Sequence, residues 1–416
     1  MDAKIKKIIE ATKVKFGLAN YYLQTHMLSR SVDIFRHTKY TVSMEWFPNH
    51  ITELEDEHSN PDGTVIIDMD VHQGTLESIV FVGEKTFAKV CAEDWVKWIE
   101  HETGLIYEEQ FQLVEEKEGR LLFRECFNGV AVSPSGHIEL NYNQEGYLTL
   151  FAAHGQFPSK EKFKEEAYTL SLEDLEDLAK EQITCLEIPS NEQEQMYTVY
   201  AVEELYVTND QTATIPYAFF VNDDVTTTVD EVIYWHTSLD TPFERKRVTI
   251  LEDVTAEQAF TCEPHPDIVP ISEQEQKQCI LAVTDLLRQK YPNDTGKWIL
   301  KTLHRAKGTI KATLRASQPT NRVFQLKLLI TIDAKSLQAI NYLDNQFMLD
   351  SFDQYKASEK VTVTKEEAFA KLKNLFELKA VYVYDVNQEH YVLCGKLDCA
   401  YAINAASGEV IVLEDL

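Results

Sequence analysis

The feature that most constrains this chain is an order of hydrophobic patterns that returns five times. Apolar residues at helical spacing come first, then short runs that alternate apolar and polar, then a polar turn carrying Gly, Asn or Asp. A helix of this kind buries one stripe, and a strand of period two buries one face. Neither closes a core alone, so each helix must pack on the strands beside it.

The first helix is expected over residues 3–16, with Ile5, Ile8, Ile9 and Phe16 on one side. Gly17 suits its end, where a positive φ brings no Cβ clash. Residues 40–46 alternate strictly, and residues 63–81 read as strand, Gly-containing turn and strand. The second helix carries Trp95, Trp98 and Ile99 and stops near Gly104. Strands follow at 121–127, 137–142 and 147–151, the last two joined across Asn143 and Gly146. The third helix is expected to start at Ser171, with Asp174 three residues on and Leu172, Leu175, Leu178 and Ala179 as its stripe. Strands are then expected at 196–207, 215–221 and 229–235. The fourth helix starts at Ser272 with Glu275 and faces the core with Ile280, Val283, Leu286 and Leu287. Residues 324–332 and 337–342 flank a turn at Asp333 and Ser336. The fifth helix starts at Thr364 with Glu367 and continues through Ala368, Phe369, Leu372, Leu375 and Phe376. Short strands follow at 381–386, 391–394, 399–403 and 409–413.

Gly74 and Gly146 stand 72 residues apart, as do Ser336 and Gly408. Together with the recurring element order, this argues a shared module length. The expected fold class is α+β, built of tandem repeats of a helix packed on a small antiparallel sheet. The repeats are placed at 1–88, 89–160, 161–261, 272–357 and 358–416. Residues 262–271 form a linker, because Pro264, Pro266 and Pro270 continue neither a helix nor a central strand.

With 40 basic and 68 acidic residues, the net charge of −28 repels phosphate backbones and anionic membrane surfaces. A nucleic-acid or membrane partner is therefore not expected, and a cationic one is compatible. No apolar run approaches the length of a membrane span, and lysines interrupt the isoleucines near Met1, which predicts a cytoplasmic protein. The seven cysteines, Cys91, Cys126, Cys185, Cys262, Cys279, Cys394 and Cys399, are irregularly spaced and read as free thiols.

Phosphate-binding glycine loops, the G-x-S-x-G elbow, H-E-x-x-H and the calcium-loop pattern do not occur. Cys262-x-x-His265, with Glu263 and Asp267 near, is the best local metal pattern, but zinc takes four ligands and no second pair follows. It is read as a buried Cys and an exposed His in a linker. Cys394 and Cys399 are near enough in sequence for two joined strands to bring them together. Asp68 and Asp70 share a strand face, read as the wet side of a sheet. Ser159 and Lys162 match S-x-x-K by chance in a lysine-rich loop. No catalytic residue, metal ligand or cofactor is assigned. Tyr197, Tyr200, Tyr206, Tyr382, Tyr384 and Tyr391 lie in strands, where they either pack inward or form an adhesive face.

Residues 364–411, with the Thr364-Lys365-Glu366-Glu367-Ala368 start and the Asn404-Ala405-Ala406-Ser407-Gly408-Glu409-Val410 turn, resemble a PepSY domain. Residues 123–151, with Phe123, Arg124, Asn128 and Gly129, are similar to the repeated domain of YcdB/YcdC-like bacterial proteins, although Arg124 follows Phe123 directly where that family has a spacer. The resemblance implies a repeated unit of antiparallel sheet on helix, as in cystatin-like modules. PepSY modules are associated with protease propeptides and proposed peptidase inhibition. The expected function is non-catalytic binding of a protein or peptide through a sheet face or edge. The alternatives are an enzyme of unrecognised type with a cleft between lobes, or a peptidase-inhibitor-like module.

Overall fold

The structure, a computed structural model, describes residues 1–51, 60–83, 90–216, 226–247 and 253–416. The 217–221 part of the strand expected over 215–221 and the boundary expected at 88/89 lie outside the described residues. Among those described, the chain is α+β, with antiparallel sheets and seven α-helices. It divides into two compact units: Met1–Lys164 with Leu251–His265 and Tyr382–Tyr391, and Glu165–Ile250 with Pro266–Val381 and Val392–Leu416.

The first unit opens with α1 (Ala3–Lys15). Its end shows why Gly17 is there: Leu18 N–H donates to Lys13 O at 2.9 Å and Gly17 N–H to Val14 O at 3.2 Å, while Gly17 sits at φ 65°. That pair of bonds closes the last turn and needs a left-handed residue. Strands β1 (Tyr21–Val32), β2 (Thr38–Pro48), β3 (Val65–Asp70) and β4 (Leu76–Phe81) form a meander. Helix α2 (Trp95–Thr103) stops at Gly104, φ 75°. It is followed by β5 (Phe111–Lys117), β6 (Arg120–Phe127), β7 (Val130–Ser133), β8 (His137–Tyr142) and β9 (Leu148–His154).

Strand β4 pairs with β9, Ile79 opposite Phe151, so the order runs β1-β2-β3-β4-β9-β8-β6-β7, with β5 on β6. The strict alternation in β2 has a direct consequence: Tyr40, Val42, Met44 and Trp46 are all buried. They share one core with Ile5 and Ile9 of α1, Ile99 of α2, and Ile79, Phe123, Leu140 and Phe151. Each such side chain contributes about 1.5–3 kcal/mol on burial.

The second unit holds α3 (Glu176–Gln182), β10 (Ile183–Ser190), β11 (Gln195–Val202), β12 (Leu205–Thr208), β13 (Thr214–Pro216) and β14 (Thr226–Val232). After α4 (Ala256–Thr261), which belongs to the first unit, come α5 (Glu273–Lys290), β15 (Trp298–Ala306), β16 (Thr309–Ala316), β17 (Lys327–Asp333), β18 (Ala339–Asp344), α6 (Gln346–Phe352) and α7 (Lys365–Leu372). The chain closes with β19 (Glu377–Asp385), β20 (His390–Asp398), β21 (Tyr401–Asn404) and β22 (Val410–Val412). Strands β14 to β18 pair in chain order and pack on Cys279, Val283, Leu286 and Leu287 of α5. A second group, in the order β10-β11-β21-β22, packs on Ala368 and Leu372 of α7.

Two expectations are corrected in this unit. The helix expected at Ser171 starts five residues later. Asp174 is too short to reach back to the Ser171 amide, and its carboxylate accepts from the Ser171 hydroxyl at 2.6 Å instead. Ser272 and Thr364, by contrast, complete reciprocal caps with Glu275 and Glu367. The strand expected over 196–207 is two strands, β11 and β12, separated by Glu203 and Glu204.

Candidate functional site

Strand β1 is the terminal strand of its sheet, and at 12 residues it is long for an edge. Its register with β2 slips between Leu23 and Thr25, a bulge that changes which residues face inward. After the bulge, His26, Leu28, Arg30 and Val32 are half-buried, while Met27, Ser29 and Ser31 are exposed. Among the described residues, none from 22 to 29 has a backbone hydrogen bond to a second neighbouring strand.

A cleft of 320 Å³ lies beside this edge. Its apolar lining comes from Ile5, Leu28 and Val254, and Asp2, His26 and Asp253 supply polar groups. Each wall is fixed locally. Asp2 caps α1, its Oδ1 accepting from Lys4 N–H at 2.8 Å. Thr255 and Gln258 form a reciprocal cap on α4, which follows Asp253 and Val254 directly. The Lys4 ammonium lies 4.5 Å from the Phe260 ring centre, tying α1 to α4. At the far end of α4, Tyr40 Oη donates to Glu263 O at 2.6 Å and Arg30 pairs with the Glu263 carboxylate at 3.1 Å. The segment therefore stays docked beside β1 and β2.

The other candidates fall elsewhere. Cys262 is exposed and His265 buried, the reverse of the linker reading. His265 N–H donates to Thr38 Oγ1 at 2.7 Å, which draws that residue inward. The sulfur of Cys262 meets His72, at 3.8 Å from Nε2. Among the described residues, no group of three or more His, Cys, Asp or Glu side chains is placed to hold a metal ion.

Cys394 lies within β20 and Cys399 just past its end, so extended backbone holds them about 16 Å apart. Two adjoining strands do not bring them together. Asp70 is 4% exposed and is not on a wet face. Its Oδ1 accepts from His72 and Gln73 N–H at 2.7 and 2.6 Å, so it serves the β3–β4 turn. Asp68 accepts from the Ser78 hydroxyl at 2.7 Å. The Lys162 ammonium stands 5.2 Å from the Phe35 ring centre, a packing role. Of the strand tyrosines, Tyr200, Tyr206, Tyr382, Tyr384 and Tyr391 are buried, so they form no exposed adhesive face.

Within the first unit, Tyr391 stacks on Phe163 at 4.7 Å, and Phe163 on Phe127 at 4.0 Å. Beside this aromatic stack lies an unforeseen buried acid. Glu125 is 2% exposed, and its Oε2 accepts from Gly136 N–H at 2.8 Å. Neither Glu125 Oε1 nor Tyr391 Oη has a hydrogen-bond partner among the described residues. Burial pushes the Glu125 carboxyl up to about 8. Sequence reasoning passed over both features. In β1 the half-buried positions past the bulge include His26 and Arg30, and in β6 alternation puts Glu125 on the face of Leu121 and Phe123, a position where an acid is not expected.

No protein-family model and no curated protein matches the chain. Among solved structures it is similar to the Bacillus megaterium YpeB C-terminal domain, at 9% identity, covering 82% of this chain and 96% of that one, with a TM-score of 0.24. A likeness that loose carries no argument about function, which rests on the geometry of the site.

Proposed function

We propose that this chain is a non-catalytic binding protein that takes up an extended, cationic segment of a partner by strand addition along β1. The observation that carries the reading is a long terminal strand beside a cleft with apolar lining and two carboxylates. An added strand gains its affinity from main-chain hydrogen bonds and its selectivity from pockets for alternate side chains. The net charge of −28 favours approach of a basic segment and disfavours an acidic one. The resemblance of residues 364–411 to PepSY modules is compatible with a role in binding polypeptide.

The test uses the full chain with two synthetic peptides, one alternating lysine and valine, the other glutamate and valine. The lysine peptide is expected to bind and to slow amide hydrogen exchange over residues 22–29. Equal binding of both peptides, or protection elsewhere with none on β1, would remove the proposal.

A further inference from the structure

We propose that Cys262 is a reactive thiol, with His72 as its proton acceptor, and that it undergoes exchange with small disulfides. The site is assembled from two distant parts of the first unit. Cys262 is the C-terminal cap of α4, at φ 54° and ψ 44°. Glycine is the usual residue in this left-handed conformation, because any Cβ there is strained. The chain instead places a thiol at the strained position, exposed to solvent, with its sulfur 3.8 Å from His72 Nε2.

The backbone of His72 is fixed, and its ring packs against one neighbour. His72 begins the β3–β4 turn, its backbone N–H bound to the Asp70 carboxylate at 2.7 Å, and the Tyr40 ring packs edge-on against it at 5.9 Å. The same Tyr40 anchors Glu263 through its hydroxyl, so one residue positions both partners. The next residue, Glu263, is charged and is engaged by Arg30 and by Gln258 Nε2. His265 lies buried beyond it, with its backbone on Thr38.

With Nε2 unprotonated, the thiol donates to it, and proton transfer leaves a thiolate beside an imidazolium. The thiolate attacks one sulfur of a disulfide RS–SR. A Cys262–SR bond forms as the RS–SR bond breaks. The departing thiolate takes the proton from His72 and leaves as RSH. Cys262 is oxidised to a mixed disulfide, and one RS group is reduced.

The experiment follows labelling of the full chain by the aromatic disulfide dithiobis-nitrobenzoate, resolved by site with mass spectrometry. Cys91, the other exposed cysteine, is the internal standard. At pH 7 Cys262 is expected to react at least about tenfold faster than Cys91. His72→Gln should bring it down to the Cys91 rate and leave Cys91 unchanged. Cys126 and Cys279 are buried and stay unlabelled while the fold holds. If His72→Gln exposes them, His72→Asn is read in its place. Equal rates at Cys262 and Cys91, or a Cys262 rate unmoved by loss of the imidazole, would overturn the proposal.

Discussion

Glu125 shows how a single side chain sets the response of this fold to pH. Its carboxyl is pushed up to about 8 by burial, against an ordinary value of 4.5, and burial and then its charge push the Tyr391 and Cys126 groups up in turn. The native state therefore keeps a proton that the unfolded chain releases. Stability from this group is whole below pH 4.5 and is lost as pH rises through 8. Glu125→Gln should remove that loss and stabilise the protein at pH 9 by up to about 5 kcal/mol, with little effect near pH 4. Urea unfolding of both proteins at the two pH values checks it, and parallel pH profiles would refute it. The turns obey a second residue-scale rule. Asp33, Asp70, Asn143, Asp333, Asp385 and Asn404 each accept backbone N–H bonds two to four residues on. A left-handed residue follows each, at Arg36, Gly74, Gly146, Leu337, Glu389 and Gly408. Three of these turns are legible because glycine marks them. At the fourth, which has no glycine, the left-handed residue is Leu337, one position past the Ser336 used to count the module length. Glu389 is exposed at φ 55°, so Glu389→Gly should stabilise the turn between β19 and β20 by about 0.5–1 kcal/mol, read from the denaturation midpoint.

Among elements, legibility followed the completeness of the local signal. Helices α5 and α7 start where the Ser272–Glu275 and Thr364–Glu367 signals put them, and α1 and α2 stop where Gly17 and Gly104 do; α7, read through Phe376, ends at Leu372, with no glycine or proline to mark its stop. Helix α3 was misplaced because a serine followed by a three-residue-distant acid is a cap only when the acid reaches back. This difference makes a paired prediction. Ser272→Ala removes a reciprocal cap from α5, an 18-residue helix, and should cost about 1 kcal/mol in equilibrium unfolding. Ser171→Ala removes a hydroxyl that caps no helix, and its cost should be less than half of that. Equal losses would mean that the Ser171 turn stabilises α3 as a true cap does. Strand β1 was missed for a different reason. Past the bulge between Leu23 and Thr25 burial alternates regularly, but polarity does not: His26 and Arg30 stand at half-buried positions and Met27 is exposed, so the apolar alternation that identified β2 is missing.

For the whole molecule, periodicity says which face of an element is buried and is silent about the partner. Nothing local to residues 76–81 specifies β9 as their neighbour, or to residues 199–200 the Asn404 and Ile403 of β21. The assignment of Tyr382–Tyr391 to the first unit is equally non-local. Net charge is the one global property that composition states outright, and it acts on folding and capture with opposite sign. At −28 the compact state repels itself, so added salt should raise the melting temperature as screening shortens the reach of each charge. The same screening weakens attraction to a cationic segment, so the affinity of the lysine–valine peptide should fall over the same range. Between about 20 mM and about 500 mM sodium chloride the Debye length shrinks several-fold, and the two measurements should diverge. Sulfate is avoided, because excluded ions strengthen burial by another route. If affinity and melting temperature rose together, the peptide would be held by apolar contacts in the cleft, and charge would not be what selects the partner.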